Sequence, residues 1–371
     1  MIKDNIKVII AGGGTGGHIF PAVAIGHAIR KIKPNADLLF VGANGKMEME
    51  KVPLEGFSII GLDIVGFNRT HLFKNFMLPF KLVQSIFKAR GIIKNFQPDV
   101  VIGVGGYASF PILNAAQSLG IPTLIQEQNS YAGKSNKILS KRADKVCVAY
   151  EHMDVFFPKS KIEFTGNPVR SLIVNASIDP TEAKQFFGLN QSKKTILIVG
   201  GSLGAKSIND TIAKDISVLL NQNVQLLWQT GNSSFEEACN AASKNLEDVK
   251  VHAFIKEMDM AYAAADIIIS RAGALAIAEL CIVGKPVIFV PYPYAAEDHQ
   301  TTNAQALVKQ DAAIMIEDKN VINKLCPQIL ELIIDPEKQR KMSEAIKQLA
   351  IRDADIKIAN SAILLTSKKI V

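Results

Sequence analysis

Short β-branched apolar runs alternate along this chain with glycine-rich turns and longer segments whose apolar residues recur at helical spacing. Lys7–Ile10 is the first run; GGGTGGH follows it, then a helical pattern over Pro21–Lys31. Leu38–Val41 and Val100–Val104 predict further strands, and Ile121–Ile125 and Lys145–Val148 add two more. Such alternation predicts a parallel sheet with helices on both faces. The programme restarts at Thr195–Val199, with GGSLGA as its turn and Lys206–Leu220 as its helix. It continues through Val224–Gln229, Val251–Phe254, Asp266–Ser270 and Pro286–Val290. Two such openings, half a chain apart, predict an α/β protein of two doubly wound Rossmann-like domains facing across a cleft. The expected division is 1–166 and 167–349, with a hinge in Thr165–Val169 and a terminal helix over about 350–371 folding back on the first domain.

Composition narrows this picture little. The 371 residues are 48% apolar and 21% charged, as in ordinary folded proteins. Lys and Arg exceed Asp and Glu by 42 to 35, a modest excess that points to an anionic partner. The four cysteines have no metal-like spacing and read as reduced thiols of a cytosolic protein. No apolar run reaches the length that spans a bilayer, so membrane contact is expected to be peripheral.

The glycine loops carry the candidate chemistry. Glycine lets a backbone approach a phosphate closely, and a helix N-terminus presents free N–H groups to it. Gly12, Gly14 and Gly17 match GxGxxG, yet a dinucleotide fold wants an acid at the end of the second strand. That strand ends Phe40-Val41-Gly42, and the nearest acid, Asp37, precedes it; NAD is therefore not expected. There is no GxxxxGK[ST] P-loop either. Gly200–Gly204 can cradle a second phosphate, and the loop at 103–107 lies where an acceptor could border the first domain. Any one of these loops also suits a plain βα turn.

Seven motifs then occur in order: GGGTGGHIFPA at 12–22, GGYASFP at 105–111, EQN at 127–129, TGNPVR at 165–170, GGSLGA at 200–205, SRAGALAIAE at 270–279 and HQTTNA at 299–304. Together they resemble the MurG family, over nearly the whole chain. The resemblance implies the GT-B glycosyltransferase fold and inverting transfer of N-acetylglucosamine (GlcNAc) from UDP-GlcNAc to undecaprenyl-linked lipid I, forming lipid II. It implies an enzyme at the cytoplasmic face of the bacterial plasma membrane, with no cofactor and no metal. The alternative is another UDP-GlcNAc-using GT-B enzyme, such as a 2-epimerase.

The same resemblance implies residue roles. UDP-GlcNAc is expected mainly in the C-terminal domain, with Ser202 on the diphosphate, Arg170 as a fixed cation beside it, and Glu279 on the ribose hydroxyls. The backbone at Ile255 is expected to read uracil, and Ala274, Leu275, Ala276, Ile277 and Ala278 to line the nucleotide. Gln300 and Asn303 are expected to read the sugar, with the side chain beside Gln300 left open. His18, whose ordinary pKa of about 6.5 suits proton removal near neutrality, is the candidate general base. The position equally suits a helix-capping or structural histidine. Thr15, Gly16, Gly17 and Asn129 are expected to shape the acceptor junction, with Tyr107, Glu127 and Gln128 as further acceptor-side candidates.

One composition shift stands apart. From Ile64 to Pro98 there is no Asp or Glu, yet there are six cations, interleaved with Phe67, Leu72, Phe73, Phe76, Met77, Leu78 and Phe80. Such a segment, 64–98, is expected to rest on an anionic membrane surface, most of all before Pro79, while the helix after it presents a core-facing stripe. No nucleic-acid motif accompanies the basic run, and none is expected to bind.

Overall fold

The computed structural model describes residues 5–64, 78–201 and 203–367. The chain divides into two compact units, Met1–Val169 with Arg352–Val371, and Arg170–Ile351. The division thus falls at 169/170, against 166/167 expected from the TGNPVR turn.

In the first unit β1 (Lys7–Ala11) leads to α1 (Gly16–Ile32), β2 (Asp37–Ala43), α2 (Glu48–Leu54) and β3 (Ser58–Leu62). Then come α3 (Leu78–Phe96), β4 (Val100–Gly103), α4 (Ser109–Ser118), β5 (Thr123–Glu127), α5 (Lys134–Ser140), β6 (Lys145–Val148) and β7 (Ile162–Phe164). The strands form one parallel sheet in the order β3-β2-β1-β4-β5-β6-β7. The order reverses direction at β1 and β4, the place where open α/β sheets bind ligands.

The second unit begins with α6 (Ser171–Val174) and α7 (Pro180–Phe186), then β8 (Lys194–Val199), α8 (Lys206–Leu220), β9 (Val224–Gln229), α9 (Phe235–Ala242) and β10 (Val249–His252). It continues with α10 (Met258–Ala264), β11 (Ile267–Ser270), α11 (Ala274–Val283), β12 (Val287–Phe289), α12 (His299–Val308), β13 (Ile314–Met315), α13 (Val321–Ile333) and α14 (Pro336–Gln348). Its parallel sheet runs β10-β9-β8-β11-β12-β13, with the reversal at β8 and β11. The last helix, α15 (Ala354–Thr366), returns to the first unit, where Ile358, Ala359, Ala362 and Ile363 are buried in one cluster with Ile25 and Ile29 of α1. Ser361 Oγ donates to Glu163 Oε1 at 2.6 Å from the same helix.

A recurring aspartate sets register in both sheets. Asp99, one residue before β4, accepts the N–H of Lys7 at 2.9 Å; Asp144 before β6 accepts that of Thr123 at 2.9 Å; Asp266 before β11 accepts that of Thr195 at 2.8 Å. Each carboxylate satisfies a strand-leading N–H that the ladder leaves open, and charge-assisted bonds of this kind are the stronger ones. The apolar runs that follow are buried on both faces, as parallel strands require: Val8–Ala11 and Val100–Ile102 are fully enclosed.

In the second unit Trp228, fully buried, donates from Nε1 to Asn209 Oδ1 at 3.0 Å, and Asn209 Nδ2 donates to the Thr230 carbonyl at 2.9 Å. This pins α8 to the turn after β9. Cys147, Cys281 and Cys326 are buried and Cys239 is half-buried, all as free thiols. Among the described residues no helix is long and apolar enough to cross a membrane.

Candidate functional site

In the first unit the β1–α1 loop is held from below by a side chain that sequence reading did not single out. Glu48, the first residue of α2, is 1% exposed and turns its carboxylate under the loop. Oε2 accepts the Gly14 N–H at 2.8 Å and Oε1 the Ala43 N–H at 2.9 Å. Gly13 (φ +150°) and Gly42 make room for it, since a Cβ at either would run into the Glu48 side chain. A dinucleotide pattern asks for an acid at the end of the second strand, whereas Glu48 lies five residues past β2, beyond a turn at Gly45 (φ +69°). Because both oxygens are engaged and enclosed, Glu48 is not presented to a nucleotide ribose.

Thr15 caps α1 with its backbone alone, its carbonyl accepting the N–H groups of His18 (3.0 Å) and Ile19 (3.1 Å). Gly16 and Gly17 open the helix, where first-turn N–H groups have no intrahelical acceptor. The β4–α4 loop locks against this one. Gly106 (φ +84°) abuts the Gly13 carbonyl closely enough to exclude any Cβ, and a Cβ on Gly105 (φ +93°) would lie 2.8 Å from His18 Cε1. The His18 ring is therefore seated on the Gly105 backbone.

The EQN motif folds inward. Glu127 is buried and accepts from Asn129 N at 3.1 Å, Asn129 Nδ2 at 3.4 Å, Gly133 N at 3.1 Å and Asn136 Nδ2 at 2.9 Å. Gln128 Nε2 donates to the Val104 carbonyl at 2.7 Å and bonds Gln126, while Asn167 Nδ2 donates to the Gln128 carbonyl at 2.9 Å. Glu127 and Gln128, expected as acceptor contacts, are thus internal supports of the loop bearing Asn129. The Glu127 carboxylate is engaged through both oxygens and the Gln128 amide through Nε2.

In the second unit the β8–α8 loop carries Gly201 (φ +87°) and Gly204 (φ +80°). Gly204 packs on the Thr230 carbonyl with no space for a Cβ, whereas Gly201 opens on free space. Its brace is Gln229, at the end of β9: Nε2 donates to the Gly201 carbonyl at 3.1 Å, and Oε1 accepts the Ile255 N–H at 2.9 Å. The same unit holds a half-buried ionic cluster. Arg170 Nε and Nη2 fork onto Glu279 Oε1 and Oε2 at 2.9 and 3.1 Å, and the Tyr262 hydroxyl donates to Oε2 at 3.1 Å. Burial works against the Arg170 charge, but the Glu279 carboxylate leaves the guanidinium above its ordinary value. Burial, with Glu279 next to it, pushes the Tyr262 phenol well up.

Both halves of this fold match a known family: residues 8–148 the Glycosyltransferase family 28 N-terminal domain, and residues 195–358 its C-terminal domain. A relative from Bacteroides fragilis, named UDP-N-acetylglucosamine--N-acetylmuramyl-(pentapeptide) pyrophosphoryl-undecaprenol N-acetylglucosamine transferase, is 51% identical over 98% of this chain and 97% of its own length. One of the same name from Flavobacterium psychrophilum is 50% identical over 99% of each. The crystal structure of Acinetobacter baumannii MurG superposes with a TM-score of 0.78 at 29% identity, covering 96% of this chain and 99% of that one. The chain belongs to the MurG family. It is accordingly a GT-B glycosyltransferase, an N-acetylglucosaminyltransferase by class.

Within this MurG-family chain the expected site residues are distributed as follows. Thr15, Gly16, Gly17 and His18 share the start of α1, and Asn129 follows β5 in the same unit. Ala274, Leu275, Ala276, Ile277, Ala278 and Glu279 form the first turns of α11, whose N-cap Gly273 is extended. The Ile255 N–H is already held by Gln229, leaving its carbonyl. Arg170, expected on a diphosphate, forks onto Glu279. Gln300 Oε1 accepts the Tyr292 N–H at 2.9 Å, and Asn303 is fully buried on the same helix. Ser202 and residues 65–77, the membrane-facing stretch of the sequence reading included, lie outside the described residues.

Sequence reading also passed over Arg271, inside its own motif. Arg271 Nη1 donates to the carbonyls of Val290 (3.0 Å) and Pro291 (3.1 Å) and to Asp318 Oδ1 (2.5 Å), while Nη2 reaches Ser207 Oγ at 3.1 Å. It ties the start of α8 to the segments that follow β12 and β13. A lone arginine in a helix-leading motif carries no sign of such a hub until its carbonyl partners are known.

Proposed function

We propose that this chain catalyses inverting transfer of GlcNAc from UDP-GlcNAc to the MurNAc-pentapeptide of undecaprenyl-pyrophosphoryl lipid I, forming lipid II. The observation that carries the reading is the match at about half identity over nearly the whole of both chains to relatives of that name. The second unit holds the donor: the amides leading α8 and α11 face the diphosphate, favoured by the helix dipole, and Glu279 takes the ribose hydroxyls. Arg170, forked onto Glu279, supplies a fixed cation beside the leaving phosphate. As the acceptor oxygen attacks the anomeric carbon, charge grows on the UDP diphosphate, where fixed amides and a guanidinium stabilise it without reorganising. His18, held by Gly105, takes the acceptor proton.

The enzyme works at the cytoplasmic face of the plasma membrane through segment 64–98. In support, α3 buries Ala89 and Ile93 but exposes Phe87 (65%) and Val83 (52%). Lys88 on that helix pairs with Asp63, just before the acid-free segment, at 3.4 Å.

The test is transfer of radiolabelled GlcNAc to a short-chain lipid I analogue in EDTA, by the native chain and by His18→Ala. Transfer that survives EDTA and drops by about a hundred-fold or more in the variant is the expected result. Full transfer by His18→Ala removes the histidine as base and keeps the enzyme. UDP-GlcNAc binding without transfer by the native chain moves the reading to an epimerase.

A further inference from the structure

The four links from Glu48 to His18 form a continuous path of fixed contacts. The carboxylate holds the Gly14 N–H; Gly13 packs on it; the Gly13 carbonyl abuts Gly106; and Gly105 seats the His18 ring. An enclosed carboxylate is costly to desolvate and is tolerated only when its oxygens are bonded. Here the bonding partners are two backbone N–H groups, one on the β1–α1 loop and one at the end of β2. The side chain is therefore a strut between loop and sheet rather than a surface acid. It also engages the Gly14 N–H, which in a dinucleotide fold would be offered to a phosphate.

We propose that Glu48 is a positioning residue for the acceptor half of the reaction, fixing the first glycine loop so that Gly16, Gly17 and His18 meet the acceptor in one geometry. The proposal rests on the transfer reading above and goes beyond it in naming what holds that geometry. Glu48→Gln keeps size but replaces one acceptor oxygen by an NH₂ facing an N–H, so one of the two bonds becomes a repulsion. Donor binding belongs to the second unit and its own sheet, so it is expected to be untouched.

The experiment compares the native chain, Glu48→Gln and Glu48→Asp by hydrogen exchange of peptides covering 9–18 and 200–206, UDP affinity, thermal midpoint, and kcat and KM for each substrate. For Glu48→Gln the expected result is faster exchange in 9–18 only, unchanged UDP affinity, and kcat lower by about ten- to a hundred-fold, since small misplacements near reacting groups have effects of that order. Glu48→Asp, which keeps the charge and reaches one N–H, is expected to recover part of that loss. Native exchange in 9–18, or native kcat despite faster exchange, overturns the proposal. Parallel loss of UDP affinity and thermal midpoint overturns it as well, by making Glu48 a residue of the fold at large. If the native chain shows no transfer, the transfer reading fails, and the exchange of 9–18 still decides whether Glu48 holds the loop.

Discussion

The β1–α1 and β8–α8 loops repeat one topology, a first strand running through glycines into a long helix, yet they are braced with opposite polarity. Glu48 holds the first by an N–H through its carboxyl group. Gln229 holds the second by a carbonyl and is neutral. A brace that engages an N–H removes a donor from anything above it; one that engages a carbonyl removes none, and in the second loop the Gly204 N–H is spent within the loop on the same Gly201 carbonyl at 3.0 Å. The first loop therefore gives one donor to its brace and the second gives none, although both would pass the same glycine pattern. What a brace takes from its loop depends on which backbone group it engages, and not on the glycines themselves.

The sharpest way to break this comparison is at the glycines that lock each loop. In Gly204→Ala the new Cβ strikes the Thr230 carbonyl at a backbone with φ +80°, while in Gly201→Ala φ is +87° but the space is open. Left-handed strain alone costs about 1–2 kcal/mol, and forced overpacking adds about 1–3 more. Gly204→Ala is thus expected to destabilise the second unit by roughly 3–4 kcal/mol and to abolish UDP binding, with Gly201→Ala near 1–2 kcal/mol. Urea unfolding followed by the exchange of β8 and β9 reads both. Equal losses would show that strain, and not the contact with Thr230, sets the loop.

A smaller effect is expected at the ionic cluster. Glu279→Gln keeps the shape but replaces a charged acceptor of three hydrogen bonds, and bonds to charged groups are worth about 1.5–3 kcal/mol. UDP affinity is expected to fall by about thirty-fold, the equivalent of about 2 kcal/mol. Tyr262→Phe removes a single bond and is expected to lower it by a few-fold, of the order of 1 kcal/mol. Calorimetric titration of UDP into each variant gives the order. If Tyr262→Phe matches Glu279→Gln, the phenol contacts the nucleotide itself and does more than position the acid.

How much of this was readable beforehand depends on distance along the chain. The strand–glycine–helix rhythm placed both openings, because buried parallel strands need unbroken apolar runs. It missed β3, β7 and β13, short edge strands whose residues are half-exposed or polar: Ser58 and Ile60 in β3, Glu163 in β7. Motif residues such as Glu279 were placed, but not their commitments. Arg170 meets Glu279 across 109 positions, and Arg271 meets Asp318 across 47. Pairing over such separations is fixed by the fold and leaves no spacing to detect. Glu48 was hidden differently: it is close in sequence, but in a helix where an acid ordinarily reads as a favourable first-turn charge.

The smallest effect distinguishes the two braces by pH. Gln229 does not titrate, but His252 is its register partner on β10, and the His252 carbonyl accepts the Thr230 N–H at 2.9 Å. Burial holds the His252 imidazole below its ordinary value, with Glu257 pulling the other way, and Phe187 packs edge-on at 5.7 Å. A base with a depressed folded pKa binds fewer protons folded than unfolded between that value and the ordinary one, so stability rises with pH across this window. The contribution is complete above about pH 6.5 and is lost as pH falls toward the folded value. Acidifying from about pH 7.5 to about pH 5.5 is therefore expected to loosen the segment 225–232, seen as faster exchange after correction for its intrinsic pH dependence. In His252→Asn that acid-dependent part should vanish while exchange at the upper pH stays close to native. An unchanged acid response in the variant would place the titrating group elsewhere and rule out His252 as the source of pH sensitivity at the second loop.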